Sequence, residues 1–227
     1  DGGKFSREEF ILPELISTLW SARDKAKASK NTALSQAIKI IMNSFYGILG
    51  TVGCRFLDSR LVSSITKRGH EILIQSKNFI EDAGYQVIYG DTDSVFVLLG
   101  SVPDDQVNVI GEGLTTQLNA WWTNRLREKY DISSFLELEF ETHFSKFLMP
   151  TVRGSDAGSK KRYAGLVVDN SNPKKSHLLF KGLESVRSDW SPLAREFQKE
   201  LYKRIFFGEP YEDYIKLTVQ QLTDGKY

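Results

Sequence analysis

Two carboxylates stand one residue apart in the run Val87-Ile88-Tyr89-Gly90-Asp91-Thr92-Asp93-Ser94-Val95-Phe96-Val97-Leu98. Apolar runs flank a short polar step, the pattern of a β-hairpin, and Gly90 is the residue expected to allow the turn. A hairpin would hold Asp91 and Asp93 at a rigid tip, close enough to contribute to one cation site. Mg²⁺ is usually held by one or two carboxylates together with substrate phosphates. The same pair also suits a solvated turn, where Asp is common.

A second group lies in Lys39-Ile40-Ile41-Met42-Asn43-Ser44-Phe45-Tyr46-Gly47. Lys39, Asn43 and Tyr46 recur at i, i+4 and i+7, which is one helical face. A Lys there acts as a point charge for phosphate. Asn43 adds amide hydrogen bonds, and Tyr46 offers a flat ring to a base or sugar. Arg23 and Lys27, four residues apart on a preceding helix, could reach the same polyphosphate. An ordinary amphipathic helix with a solvated Lys and a core Tyr has the same spacing.

The third group is Lys160-Lys161-Arg162-Tyr163, which follows a glycine-containing loop at 153–159. Cations followed by an aromatic ring suit contacts to a nucleic-acid backbone, which position a duplex without reading its sequence. A solvated strand end carries the same charges. Glu137, Glu139 and Glu141 form an acidic face that is either solvated or supplies one outer carboxylate to a metal site. Cys54, His70, His143 and His177 show no ligand spacing, and Trp121 and Trp122 read as packing residues.

These groups need elements to position them. Ile11-Leu12-Pro13 opens a helix with Leu15, Ile16, Leu19 and Trp20 on one face, and Pro13 suits its first turn. A polar break at 28–32 leads to a second helix over 33–48, and so short a connection favours an antiparallel pair. A longer helix over 59–83 is stopped by Gly84. The hairpin follows, then a helix over 104–130. Leu136-Glu137-Leu138-Glu139-Phe140-Glu141 alternates as a strand does. Segments 161–168 and 177–181 read as strands joined by a turn around Asn172-Pro173. From Asp189 the pattern is helical again, through Leu193, Phe197, Leu201 and Ile205 and then over 211–222. The order implies an α+β fold, one central antiparallel sheet with helical pieces on either side.

Composition sets the outer bounds. The chain has 227 residues, 41% hydrophobic and 26% charged, the profile of a globular protein with a real core. Its net charge of +1 does not advertise a polyanion partner, so local basic clusters must carry that case. One cysteine excludes an internal disulfide and fits a reducing cytoplasm. No apolar run approaches a membrane span and no signal peptide is visible. The sequence opens at Asp1-Gly2-Gly3 and stops at Asp224-Gly225-Lys226-Tyr227, which reads as a piece of a larger protein.

Four of these segments, in order, resemble the motifs of family B DNA polymerases. Lys39-x-x-x-Asn43-Ser44-Phe45-Tyr46-Gly47 resembles the fingers motif. Tyr89-Gly90-Asp91-Thr92-Asp93-Ser94 resembles the catalytic palm hairpin, and Lys160-Lys161-Arg162-Tyr163 the primer grip. Lys181-Gly182-Leu183-Glu184 with Arg187 and Asp189 resembles the palm-to-thumb segment. The likeness is strongest to bacterial members and covers almost the whole chain.

The resemblance implies fingers over 1–49, a palm over 50–186 and the start of a thumb over 187–227. It implies Asp91 and Asp93 at a two-Mg²⁺ centre, with Asp93 the more direct ligand. Lys39 and Asn43, helped by Arg23 and Lys27, would bind the triphosphate of a deoxynucleoside triphosphate, and Tyr46 would pack near the nascent base pair. Tyr89, Lys160, Lys161, Arg162 and Tyr163 would meet primer-template DNA. The implied reaction is attack of a primer 3′-hydroxyl on the α-phosphate. The implied setting is the bacterial cytoplasm at the nucleoid, with a sliding clamp as a further partner, although no clamp-binding segment is visible. The family's upstream Asp-x-x-Ser-Leu-Tyr-Pro motif, which carries another metal-binding Asp, has no match here, and neither does the exonuclease domain. The isolated chain is therefore expected to bind divalent metal weakly and not to extend primers. A non-catalytic polymerase-like module that binds DNA, and a metal-dependent nuclease using the same aspartates, are the alternatives. The helix-borne Lys/Asn/Tyr face speaks against the nuclease.

Overall fold

The computed structural model describes residues 4–6, 8–151, 154, 158–159, 161–168 and 176–226. Its contacts divide into two compact units, Asp1–Ser76 and Lys77–Tyr227. The fold is α+β, as the order of patterns implies, with six α-helices and five strands among the described residues.

The first unit is helical. α1 (Ile11–Ala28) and α2 (Thr32–Leu49) pack on each other across a three-residue connection. Pro13 lies in the first turn of α1, where its missing N–H has no intrahelical acceptor to lose. The connection turns at Lys30, which takes a φ of 56°. Asn31 then caps α2, its side-chain oxygen accepting the Leu34 N–H at 3.0 Å. Ala26 and Ile38 are the buried residues of the two helices. α3 (Ser59–Asp82) starts after Asp58, whose carboxylate accepts the Arg60 N–H and also pairs with the Arg60 guanidinium. That pairing lowers the Asp58 carboxyl to about 2. The division between the units falls within α3.

The second unit holds the sheets. Gly84, at φ 91°, ends α3 as the sequence implies. β1 (Gln86–Asp91) and β2 (Ser94–Leu98) form an antiparallel hairpin closed by a two-residue loop. α4 (Asp104–Tyr130) opens with Asp104 and Asp105 and ends with Arg127 and Lys129, the charge order that complements the helix dipole. β3 (Lys146–Leu148), β4 (Tyr163–Val167) and β5 (His177–Lys181) make a second antiparallel sheet in the order β3-β4-β5. A 3₁₀ turn (Glu184–Val186) leads to α5 (Pro192–Phe207) and α6 (Glu212–Thr223). Ser191 caps α5 and Pro192 takes its first position.

The two faces of β4 explain how the second unit is built. Successive strand residues point to opposite faces. Ala164 and Leu166 face the core formed with Leu183, Tyr202 and Phe206, so α5 covers this side of the sheet. Tyr163 and Gly165 face the other way. There the rings of Tyr163, Phe144 and Phe147 cluster with Phe96 of β2, with centroids 5.2 to 6.4 Å apart. Gly165 leaves room for Phe144, because a Cβ there would lie 2.1 Å from that ring. Lys146 ties the same sheet to the end of α5 by donating to the Phe206 carbonyl.

Two expectations need correction. The single central sheet is instead two small sheets, and the hairpin meets its neighbour through aromatic rings rather than a backbone ladder. Segment 136–141 forms no strand. Its alternation survives as burial, with Leu136, Leu138 and Phe140 half-buried and the three glutamates exposed. What it faces is α4. The Asn119 amide donates to the Leu138 carbonyl at 2.8 Å and accepts the Leu138 N–H at 2.9 Å, standing in for a strand neighbour. Phe140 lies where a Cβ on Gly111 would be, at 2.6 Å. A short strand at Lys146–Leu148 went unread because three residues carry too little periodicity to register.

Candidate active site

The hairpin tip is tighter than the sequence suggests. Asp91 pairs with Ser94, so Thr92 and Asp93 alone make the loop. Gly90 sits in the ladder opposite Val95 and does not make the turn. Thr92 does, at φ 52°, a left-handed conformation that a β-branched residue adopts only under constraint. The Asp93 N–H closes the loop on the Asp91 carbonyl at 2.6 Å. Such strain is typical of functional sites, where surrounding structure enforces it. A register shift between Val87 and Tyr89 brings Tyr89 opposite Phe96. Residues directly opposite share a face, and the Tyr89 and Phe96 rings pack with centroids 5.3 Å apart. Asp91, two residues further along β1, lies on the Tyr89 face.

The tip is polar and open. Asp91 is half-buried and Asp93 exposed. Thr92 Oγ1 donates to Asp91 Oδ1 at 3.1 Å, and Ser94 Oγ to Asp93 Oδ1 at 3.3 Å. Lys161 approaches from the second sheet, its Nζ 3.7 Å from Asp91 Oδ1. The Lys161 N–H donates to the Tyr89 hydroxyl at 2.8 Å. Lys161 takes a φ of 63°, and its carbonyl presses on Gly182, where any Cβ would stand 2.0 Å away. The backbone before β4 is thus clamped between the carboxylate-bearing hairpin and the end of β5.

Arg162 and Tyr163 diverge from there. Arg162 Nη1 donates to Glu184 Oε1 at 3.1 Å. Tyr163 enters the aromatic cluster, and burial raises its phenol above the ordinary value, with Glu141, Tyr89, Asp91 and Asp93 adding to the shift. Glu141 therefore faces the same region as the two aspartates. A cleft of about 1030 Å³ in this unit is lined by Asp91, Asp93, Glu139, Glu141, Lys161 and Tyr163 among others.

The donor set suits a hard cation that keeps other oxygen ligands. Asp91 and Asp93 stand at one tip and line one cleft, and the Lys161 ammonium lies 3.7 Å from Asp91 Oδ1. Among the described residues no cluster of three or more His, Cys, Asp or Glu could hold a metal by itself. Asp91 and Asp93 thus fit Mg²⁺ bound by a pair of carboxylates, with water or substrate oxygens completing its shell.

The remaining sequence-derived positions lie in the first unit, on the α1–α2 hairpin. Lys27, Lys39 and Asn43 are exposed. Arg23 is half-buried, and its Nε is buried with no hydrogen-bond partner among the described residues. Tyr46 OH lies 2.6 Å from Thr66 Oγ1. Thr66 gives its one proton to the Val62 carbonyl, so Tyr46 is the donor. Lys160, most of the loop before it and the turn at 172–173 lie outside the described residues.

Reasoning from the sequence gave Glu184 no role, although it stands in the quoted Lys181-Gly182-Leu183-Glu184 segment. Its two oxygens accept from Arg162 and from the Gln198 amide. The Gln198 bond chiefly, with Arg162 and Arg187 adding to it, holds the Glu184 carboxyl below its ordinary value of 4.5. A lowered folded-state value means stabilisation that is complete above the unfolded value and lost as pH falls through the folded one. Chemical denaturation between pH 6 and pH 3 should therefore show wild type losing stability at the acid end. Glu184→Gln, which has no proton to gain, should flatten that part of the curve, and an unchanged acid limb would contradict the role.

The sequence model of DNA polymerase family B matches residues 3–226, and the chain belongs to that family. It is 55% identical over 223 residues to DNA polymerase II of Escherichia coli (strain K12), covering 98% of this chain and 28% of that protein. It is 30% identical over 216 residues to the DNA polymerase alpha catalytic subunit of Sterkiella nova, covering 90% of this chain and 13% of that one. The catalytic subunit of the same name from Drosophila melanogaster is 29% identical over 188 residues, covering 82% of this chain and 11% of that one. The chain spans less than a third of the length of these relatives. No helix of the described residues is long and apolar enough to cross a membrane.

Proposed function

We propose that this chain is the central part of the catalytic core of a DNA-directed DNA polymerase, which adds deoxynucleotides to a primer 3′-hydroxyl. The observation that carries the reading is the meeting of three groups in a family B chain. The Asp91–Asp93 tip, the Lys161 cation and the Tyr163 phenol share one cleft, and Tyr89 bonds to the segment that bears them.

In this reading the helix pair within 1–49 belongs to the fingers, residues 50–186 to the palm and residues 187–227 to the start of the thumb. Asp91 and Asp93 hold Mg²⁺, Asp93 more directly because its carboxylate is exposed. When bound, Mg²⁺ supplies charge stabilisation to the attacking and leaving oxygens of an in-line displacement, with two ions in the complete enzyme. Lys161 and Arg162, with Lys160 before them, bind the primer backbone. Tyr163 is neutral, as a phenol is near pH 7, and burial raises its pKa further, so it packs in the cleft without adding charge. Tyr89 fixes the peptide of Lys161 and so the approach of that lysine to Asp91. Lys39, Asn43, Arg23 and Lys27 bind the triphosphate of the incoming nucleotide, and Tyr46 packs near the nascent base pair. Cationic side chains near developing phosphate charge act most strongly when their geometry is set in advance. The full-length enzyme works on DNA in the bacterial cytoplasm, and any sliding-clamp contact belongs to segments outside this chain.

A non-catalytic DNA-binding module is the second reading, because among the described residues no group of three or more His, Cys, Asp or Glu could hold a metal by itself. Primer extension with Mg²⁺ and all four deoxynucleoside triphosphates separates the two. The full-length protein should extend a primer and the isolated chain should not. A folded, DNA-binding full-length protein that adds no nucleotide would overturn the proposal, and extension by the pure chain would overturn the assigned need for further segments.

A further inference from the structure

Arg162, Glu184 and Gln198 form a continuous relay from the entry of β4 to the surface of α5. Arg162 Nη1 donates to Glu184 Oε1 at 3.1 Å. Gln198 Nε2 donates to Glu184 Oε2 at 2.6 Å, and the Ser185 N–H donates to Gln198 Oε1 at 2.6 Å. Both oxygens of the carboxylate and both ends of the amide are therefore used. The network also fixes the amide orientation, since a reversed Gln198 would set its NH₂ against an N–H and its oxygen against a carboxylate. The Glu184 side chain is 17% exposed and that of Arg162 is 40% exposed, so the relay starts inside and ends at a part-exposed guanidinium on the α5 side of β4, while Lys161 and Tyr163 on either side of it line the cleft.

Gln198 makes more bonds than seating α5 requires. Tyr202 and Phe206 already seat α5 against Ala164, Leu166 and Leu183. The half of the amide that accepts from Ser185 would suffice to tie helix to turn. The other half is spent on a carboxylate whose free oxygen holds Arg162, the residue between Lys161 beside Asp91 and Tyr163 in the cleft. A strand entry anchored before binding loses less conformational freedom when the groups it presents meet DNA.

We propose that Gln198 is a positioning residue for nucleotide addition. Through Glu184 it holds Arg162 and so the strand entry that presents Lys161 and Tyr163 to the cleft, and it links that entry to the seating of α5. The inference rests on the polymerase reading above. Gln198 touches neither the carboxylate tip nor the cleft, so its effect is on the affinity for DNA and not on the chemical step.

Exchanging the two functional groups tests this in the full-length protein. Glu184→Gln alone sets an NH₂ against the Gln198 NH₂, and Gln198→Glu alone sets two carboxylates face to face. The double variant E184Q/Q198E restores each donor to an acceptor: an amide at 184 facing a carboxylate at 198, which still accepts from Ser185. Each single variant should raise the Kd for primer-template DNA about tenfold, the loss of one charge-assisted bond. Turnover at saturating DNA should stay within about twofold of wild type, and the double variant should recover most of the affinity. Gln198→Met, similar in length and uncharged, should show the same loss of affinity and serves where a charged variant does not fold. Unchanged Kd in the single variants would overturn the relay. So would a fall in turnover with Kd unchanged, or a double variant no better than the weaker single. A wild type that binds primer-template without extending it would refute the polymerase reading while the Kd series still decides the relay. A wild type that binds no DNA would overturn both.

Discussion

Asp93→Asn in the full-length protein is expected to slow single-turnover nucleotide addition on the order of 10³-fold or more, as loss of one member of a cooperative catalytic set does. The substitution keeps the size of the side chain and one oxygen, so the two-residue loop should stay closed by the Asp93 N–H bond to the Asp91 carbonyl. What is lost is a negative charge at an exposed position of the tip. Ser94 donates only a long bond of 3.3 Å to that carboxylate, which leaves most of its lone pairs for a cation. Affinity for primer-template should survive, because the cations assigned to the DNA backbone come from Lys161 and Arg162. Rapid-quench measurement of the first addition, beside an equilibrium DNA-binding assay, separates the two quantities. A variant that adds nucleotides within about tenfold of wild type would remove Asp93 from the chemistry.

The second large effect is on folding and concerns Gly182. An alanine Cβ there would lie 2.0 Å from the Lys161 carbonyl oxygen, and the residue has a φ of 62°. Both the neighbour and the strain are backbone, so no side chain can turn aside to relieve them. Gly182→Ala should cost about 3 kcal/mol or more, the sum of left-handed strain and an overpacked contact. Gly84→Ala is the control. It too has a positive φ, of 91°, but nothing within 4 Å of its Cβ position, so only the strain of roughly 1–2 kcal/mol applies. Urea denaturation of the chain should show a much lower midpoint for Gly182→Ala than for Gly84→Ala. Equal midpoints would mean that the close approach at Lys161 does not constrain the fold. Relief of the clash would draw the Lys161 backbone from Tyr89 and its ammonium from Asp91, so DNA affinity should fall as well.

Much of this architecture could be read in advance, and its failures have physical causes. The helices were legible because their apolar spacing ran for several turns and their ends carried punctuation: Pro13 in the first turn of α1 and Gly84 after α3. The hairpin was legible because two apolar runs within Val87 to Leu98 flank one short polar step. Its turn residue was misread, since Gly90 has the permissive backbone but Thr92 carries the positive φ, under constraint from pairings on both strands. Segment 136–141 has the right period for a strand, and periodicity reports only which face is buried. It could not reveal that the covering surface is α4 with Asn119 rather than a strand. The contacts of Lys161 with Tyr89 and Asp91 span about seventy residues of chain, and local patterns say nothing at that range. Gln198 is the extreme case: a glutamine on a polar helix carries no signal until the fold brings it against Glu184. Sequence likeness supplied what periodicity could not, because four ordered motifs point to a family even where their side chains lie far apart.

The claim at the centre of this account is that the Asp91–Asp93 tip holds the divalent cation of a polymerase. Mn²⁺ titration followed by electron paramagnetic resonance tests it most directly, using full-length protein loaded with primer-template and a non-reactive incoming nucleotide. Wild type should show protein-bound Mn²⁺ whose affinity falls at least about tenfold in Asp93→Asn and in Asp91→Asn, since each removes one of two charged ligands. Mn²⁺ binding that is the same in wild type and both variants would place the cation elsewhere and contradict the account.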